Sequence, residues 1–380
     1  MYKSFRSFWP FYTEQMKHNV QEILTSGKVN QWTGSKVKEF EKAFEKYFGI
    51  KHAVAVFNGS VALELCLKVL GVGSGDEVIV TSRSFIASAS SINVVGAMPV
   101  FIDVDYISQN VSLETIIPAV NNLTKAIIVV HLAGWPANMP EIMEYCKKRG
   151  IFVIEDCAQA HGAKIDNQYV GTFGDINAWS FCQDKIISTG GEGGMVTTNN
   201  DQLFQKAWSY KDHGKNPEKI SIPSEPGMFK YVHDSIGTNF RMTEIQASIG
   251  LDQLVELDGW VKQRRTNAHI LDNILSKNKL IRLSIPDSNI YHSYYKYYCF
   301  VNEGRDEIIK KMNEAGVPCF QGTCGECYKE EAYGLDLQLA NTRKLSLESL
   351  VFLVDPSYDV DRMKLMAKII IGVIESYSEK

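Results

Sequence analysis

Three short segments of the chain carry residue types that can do chemistry. The first, HAVAVFNGSVALELCL, is a β-rich apolar run followed by Asn58-Gly59-Ser60 and then a helical pattern. Unpaired backbone amides at a helix N-terminus, with a glycine that allows close approach, make a site for a phosphate. The second, IFVIEDCAQAHGA, sets Glu155 and Asp156 at the carboxyl end of an apolar strand, with Gln159 and His161 just beyond. Open α/β sheets build their sites at that edge, and an acid there must be paired or hydrogen-bonded to stay ionised. The third, AWSFCQDKIISTGGEGGMVTT, places Lys185 between a strand ending at Ser180-Phe181 and the glycine-dense turn Gly190 to Gly194. A desolvated amine has a lowered pKa, which makes it a nucleophile towards a carbonyl carbon. Taken singly, each segment has a plainer reading: an ordinary turn, a structural ion pair, a surface lysine. Together they offer an anion cradle, a strand-end acid and an amine able to form a Schiff base.

Those groups need a scaffold that brings three distant segments to one edge. Before residue 255, short β-rich runs alternate with helical ones: His52 to Phe57, Glu77 to Thr81, Met98 to Ile102, Lys125 to Val130, Ile151 to Glu155 and Ile176 to Phe181. They are nearly continuously apolar, as strands covered on both faces must be, which predicts a mainly parallel sheet between helices. Val37, Phe40, Phe44, Tyr47 and Phe48 follow helical spacing after Ser35, a candidate cap. After residue 255 the rhythm changes. An amphipathic segment, Leu257 to Leu275, predicts a linking helix. A smaller unit follows, with a tyrosine-rich strand at Tyr294 to Val301, a charged helix at Arg305 to Ala315 and a terminal helix begun by Asp361. Gly214 to Gly237, polar and proline-containing, reads as the longest loop.

An anion cradle, a strand-end acid and an imine-forming lysine are together what pyridoxal phosphate requires. In these same segments the chain resembles the sugar aminotransferase family DegT/DnrJ/EryC1/StrS, from the Trp9-Pro10 region to about residue 260. The resemblance implies an α/β fold of the aspartate aminotransferase type (fold type I). It would have a large cofactor-binding domain with a mainly parallel seven-stranded sheet (1–255) and a smaller C-terminal α/β domain (256–380). It implies that Lys185 in SFCQDK holds the cofactor as an imine and that Asp156 faces the pyridine nitrogen. Gln159 would lie beside the phenolic oxygen, with Gly59, Ser60 and Ser180 on the phosphate. SRSFIAS gives Phe85 as the aromatic residue on the ring, and GTNFRMTEIQA gives Asn239, reaching the phosphate in a neighbouring subunit. A homodimer with shared active sites follows from that last role.

The implied reaction moves an amino group, from glutamate by resemblance, to a keto-sugar linked to a nucleotide, in polysaccharide or glycoconjugate biosynthesis. Trp32, Lys211, His213 and Arg241 are the expected wall of the acceptor site. The C-terminal part departs from the family pattern: VPCFQGTCGECYKEEAY stands where many relatives have a His-Tyr-Pro type segment. That leaves room for a smaller acceptor, a phosphorylated ketone such as dihydroxyacetone phosphate. Relatives with histidine at the lysine position act as sugar dehydratases, which Lys185 argues against. A pyridoxal-phosphate protein that senses a ligand without turning it over is the remaining alternative.

Composition narrows the partners. Forty Lys and Arg against 44 Asp and Glu give a net charge of −4, and no basic run tracks a phosphate backbone, which argues against nucleic acid. The apolar stretch Ile369 to Ile374 is far short of the ~20 residues that cross a bilayer. The N-terminus lacks the apolar core of a secretory signal, so the expected location is cytoplasmic. Eight cysteines scattered through apolar segments read as reduced core residues. Cys319, Cys324 and Cys327 supply too few ligands for a structural zinc site, and no metal is expected.

Overall fold

A computed structural model describes residues 5–223 and 227–378. Seven strands form the central sheet: β1 (His52–Val56), β2 (Glu77–Thr81), β3 (Met98–Ile102), β4 (Thr124–Val130), β5 (Phe152–Asp156), β6 (Ile176–Ser180) and β7 (Gly194–Thr198). Their order is β1-β7-β6-β5-β4-β2-β3, and only β7 runs against the rest. Six of the seven coincide, within a residue at each end, with the apolar runs of the sequence. The seventh, β7, follows so closely on the glycine turn that its pattern merges with that turn. It is the return arm of the loop that carries Lys185, which is why it is antiparallel.

Alternate residues of the strands enter different cores, as the pleat requires. Val54 and Val56 join Ile128, Ile154, Ala178 and Val196 beneath the helices Gly59–Val69 and Asp201–Lys211. Ala53 and Ala55 join Trp179 and Met195 on the opposite face, under the helices Lys36–Phe48 and Glu244–Leu275. Covering both faces is what the continuous apolar runs demanded.

The expected linking helix is the second half of a longer one, Glu244–Leu275. Residue 255 falls inside it, so no break in the backbone marks the change of rhythm there. Its first residue explains a second difference. Ser35 caps the helix Lys36–Phe48 without a side-chain hydrogen bond. The buried Glu244 carboxylate instead accepts from the amides of Lys36 at 2.6 Å and Val37 at 3.1 Å. Gly34 makes room for it, since a Cβ there would lie 2.1 Å from Glu244 Oε2.

The C-terminal unit is an antiparallel four-stranded sheet in the order Ile281–Leu283, Tyr297–Val301, Ser349–Phe352, Cys319–Phe320. It packs against the helices Arg305–Glu314 and Val360–Ser378 and the end of the long helix, through Leu271, Leu275, Phe352, Met363 and Ile370. Phe5 joins this core, so the N-terminal arm crosses from one unit to the other. The loop expected over Gly214 to Gly237 contains a short helix, Pro217–Ser221; residues 224–226 lie outside the described residues.

Candidate active site

At the end of β5 the pleat separates the two acids. Glu155 turns into the core, where its carboxylate accepts from the amides of Gly171, Phe173 and Gly174 and lies 2.9 Å from His131 Nε2. It anchors the turn before β6. His131, Glu155 and Cys157 lie close enough together to hold a metal ion, but those hydrogen bonds already occupy the carboxylate. Asp156 points to the other face. Ser88 Oγ donates to its Oδ2 at 2.8 Å and the Ala158 amide to its Oδ1 at 3.1 Å. Burial pushes the Asp156 carboxyl up, against the pull of the Ser88 hydroxyl, the Ala158 amide and the charge of Lys185. A buried carboxylate in that condition is short of a cation.

The phosphate cradle forms where β1 meets the helix Gly59–Val69. Asn58 caps that helix through its side chain, accepting from Val61 N at 2.9 Å, and Gly59 and Ser60 are the first residues inside it. First-turn amides have no carbonyl a turn behind them to bond. A Cβ on residue 59 would lie 2.5 Å from Ser180 Cβ, so the absence of a side chain lets the helix start seat against the end of β6. Gln159 contributes N–H donors, because its Oε1 already accepts from Ala133 N at 2.8 Å.

Lys185 lies on the loop between β6 and β7. That loop folds back through Gln183 N to Gly191 O at 3.0 Å and Phe181 N to Gly193 O at 2.8 Å, with Gly190 and Gly191 at positive φ. The Lys185 amine sits 3.4 Å from Tyr295 Oη and 3.6 Å from Asp184 Oδ1. Tyr295 donates in turn to Asp184 Oδ2. Burial would raise the Asp184 carboxyl, but Lys185, the Tyr295 hydroxyl and Lys296 outweigh it and hold it low. A second amine, Lys296, stands 4.0 Å from Asp184 Oδ2, and its burial brings it down to about 8. The loop backbone is tied by Trp9 Nε1 donating to Lys185 O at 2.8 Å, and buried Arg264 donates to Tyr295 O at 3.2 Å.

These groups line one cavity of about 660 Å³. Gly59, Ser60, Phe85, Asp156, Gln159, Ser180 and Lys185 all face it. Phe85 is 62% exposed, so its ring is a wall at the mouth rather than part of a core. Asn239 does not line this cavity: it is exposed, and its Oδ1 accepts from Arg241 N at 3.3 Å. The four expected wall residues are also elsewhere. Lys211 is buried on Glu41 and the Ala55 carbonyl, Arg241 pairs with Asp212 at 2.6 Å, Trp32 packs edge-on to Trp208, and His213 is exposed. The wall opposite the sheet comes instead from the C-terminal unit, through Tyr295, Lys296, Tyr298, Phe320, Gly322 and Thr323. Its traces in the sequence were a tyrosine-rich strand with an internal lysine and the segment VPCFQGTCGECYKEEAY, which holds Phe320, Gly322 and Thr323.

The amide cradle, the cation-deficient acid and the amine fit pyridoxal phosphate by their chemistry. The sequence matches the DegT/DnrJ/EryC1/StrS aminotransferase family over residues 10–366. The chain belongs to that family. As a member it is a pyridoxal-phosphate-dependent aminotransferase. A GDP-perosamine synthase of Escherichia coli O157:H7 is 39% identical over 288 residues, 76% of this chain and 75% of that protein. A dTDP-3-amino-3,4,6-trideoxy-alpha-D-glucose transaminase of Micromonospora megalomicea is 35% identical over 302 residues, 78% of this chain and 76% of the other. Among solved structures, an aminotransferase from Psychrobacter cryohalolentis superposes with a TM-score of 0.95 at 42% identity, covering 97% of this chain and 99% of that one. This aminotransferase therefore keeps the family fold through its C-terminal unit, where the sequence pattern departs most.

Proposed function

We propose that this aminotransferase transfers an amino group from glutamate to a keto-sugar linked to a nucleotide, in the biosynthesis of a polysaccharide or glycoconjugate. The observation that carries the reading is the single cavity in which Lys185, Asp156 and the Gly59-Ser60 helix start face one another. Relatives named for GDP-linked and dTDP-linked sugars support the acceptor class. Lys296 adds a second cationic group to the wall, suited to an anionic acceptor.

Bound pyridoxal phosphate supplies an electron sink for the carbanion left when the Cα–H bond of the donor breaks. The chain's own residues do the rest. Gly59 and Ser60 amides with the Ser180 hydroxyl would hold the phosphate, and Phe85 would cover one face of the ring. Asp156, ionised against the ring nitrogen, would gain the cation it lacks, and Gln159 would donate to the phenolic oxygen. Lys185 would move the proton at the substrate carbon, its amine oriented by the Tyr295 hydroxyl and the Asp184 carboxylate. Asn239, exposed and off its own cavity, would serve the phosphate held by a second subunit in a homodimer. The eight unpaired cysteines suit a reducing compartment, the cytoplasm. Among the described residues no helix is long and apolar enough to cross a membrane.

The test is a panel of keto acceptors, GDP-, dTDP- and UDP-linked keto-sugars beside dihydroxyacetone phosphate, in single-turnover reoxidation of the pyridoxamine form made with glutamate. A nucleotide-linked ketone should react fastest. Faster reaction of the small phosphorylated ketone would replace the acceptor, and failure of glutamate to form the amine state would replace the donor.

A further inference from the structure

The sequence singles out a Cys-Gly-Glu-Cys run, Cys324 to Cys327, that the aminotransferase chemistry does not use. The two side chains are near neighbours. Cys327 is buried, with its Sγ 3.1 Å from the Ser84 carbonyl oxygen, while Cys324 is half-exposed and its Sγ lies 3.2 Å from Glu330 Oε1. The run is laced to the segment that supports the cavity floor: Cys327 N donates to Ser82 O at 2.8 Å, and Cys324 pairs with Ser84 as a β-bridge. From Ser84 a chain of hydroxyls continues, Ser84 Oγ to Ser88 Oγ at 2.8 Å and Ser88 Oγ to Asp156 at 2.8 Å. On the other side the run follows directly on Phe320, Gly322 and Thr323, which line the cavity.

We propose that Cys324 and Cys327 form a thiol–disulfide exchange site for a low-molecular-weight disulfide, and that its closure loosens the Ser84-Ser88 support of Asp156. A half-exposed thiol beside a buried one separated by two residues is the arrangement in which one sulfur is reached from solvent and the other resolves the adduct. The Cys324 thiol gives its proton to the Glu330 carboxylate beside it, and its sulfur attacks the incoming disulfide RSSR, forming a mixed disulfide and releasing RS⁻. The Cys327 sulfur then attacks the Cys324 sulfur and expels the second RS⁻. Two cysteine thiols are oxidised to one disulfide, RSSR is reduced to two thiols, and the two thiol protons end on the RSH formed. In closing, Cys327 loses the S–H proton that it donates to the Ser84 carbonyl oxygen, so that hydrogen bond is lost.

The purified full-length protein, equilibrated in buffers of increasing oxidised to reduced glutathione, tests this by intact mass, by amide hydrogen exchange and by spectral titration of pyridoxal phosphate. The expected product has lost two hydrogen atoms per chain and carries no glutathione. Exchange should rise over residues 82–88, and cofactor affinity should fall several-fold and recover on reduction. The tryptic peptide from Met312 to Lys329 holds Cys319 as well. Cys319→Ser should therefore keep the product, while Cys324→Ser and Cys327→Ser each abolish it and leave cofactor affinity insensitive to glutathione. A stable glutathione adduct on Cys324, a disulfide to Cys319 or Cys299, or no mass change would overturn the site. A Cys324–Cys327 disulfide with unchanged exchange and affinity would overturn its coupling to Asp156. The mass and exchange readouts do not depend on the proposed role of Asp156; only the affinity readout rests on it.

Discussion

At the scale of single residues, the decisive contrast is between two neighbouring acids with different fates. Glu155 is satisfied by three amides and a histidine, whereas Asp156 has one hydroxyl and one amide and faces the cavity. Replacing Asp156 by Asn keeps the shape and, with Oδ1 towards Ala158 N, that amide contact, turns the Ser88 hydrogen bond round so that the new NH₂ donates to the hydroxyl, and removes the charge that would hold the ring nitrogen protonated. Transamination by Asp156→Asn should fall on the order of 10²–10³-fold in both kcat and kcat/KM, the scale of losing one preorganised electrostatic partner. Cofactor-loaded enzyme assayed by stopped flow checks this, and near-normal turnover would make Asp156 structural. Lys296 gives a second test with a pH sign. Its amine, brought down to about 8 by burial, is charged below that pH and neutral above it. An anionic acceptor should therefore bind less tightly as pH rises through about 8, seen as a fall in kcat/KM for acceptor, a profile that reports the free enzyme. Lys296→Met should cost roughly tenfold in kcat/KM at pH 7, ~1.4 kcal/mol, and flatten that limb of the profile. A Met variant with the wild-type profile would assign the limb to another group.

At the scale of elements, the site depends on helix starts. The helix Gly59–Val69 presents its first amides to the cavity because Asn58 caps it and Gly59 allows it to seat. The helix Lys36–Phe48 is held from afar by the first residue of Glu244–Leu275, a carboxylate 208 positions along the chain from Lys36. Glu244→Gln leaves one acceptor where there were two charged ones and turns an amide NH₂ towards backbone N–H groups. The expected loss is about 1.5–3 kcal/mol of unfolding free energy, the range for hydrogen bonds to a charged group. Urea denaturation at fixed cofactor concentration measures it. A loss under ~0.5 kcal/mol would mean that the cap is replaced without strain.

At the scale of the whole molecule, the cavity is closed by two units of the chain and, on the present proposal, completed by a second chain. Lys185→Ala and Asn239→Ala should each lose most of their activity. Mixed under verified subunit exchange, they should regain it. A hybrid dimer would have one site with both lesions and one with both native residues, whereas a site built within one chain would carry a lesion in every copy. No recovery after demonstrated exchange would confine Asn239 to its own subunit. A twofold dimer is the assembly in which each chain gives the contact it receives.

What the sequence determined by itself is local. Continuous apolar runs specify buried strands because both faces must be covered, and six of the seven strands were legible for that reason. The chemical groups at strand ends and at the Asn58-Gly59-Ser60 turn were legible because strand, turn and helix start are adjacent in the chain. What only the tertiary structure decided depends on contacts across hundreds of residues. The Glu244 cap supplants Ser35 because a buried carboxylate reaches two amides that a serine hydroxyl does not. The cavity wall opposite the sheet is lined within this chain by residues between Tyr295 and Thr323, and not by Trp32, Lys211, His213 or Arg241. The C-terminal sheet folds over the carboxyl edge of the large one, while those four side chains find partners or solvent elsewhere. Periodicity records which face of an element is buried, but not which distant element buries it.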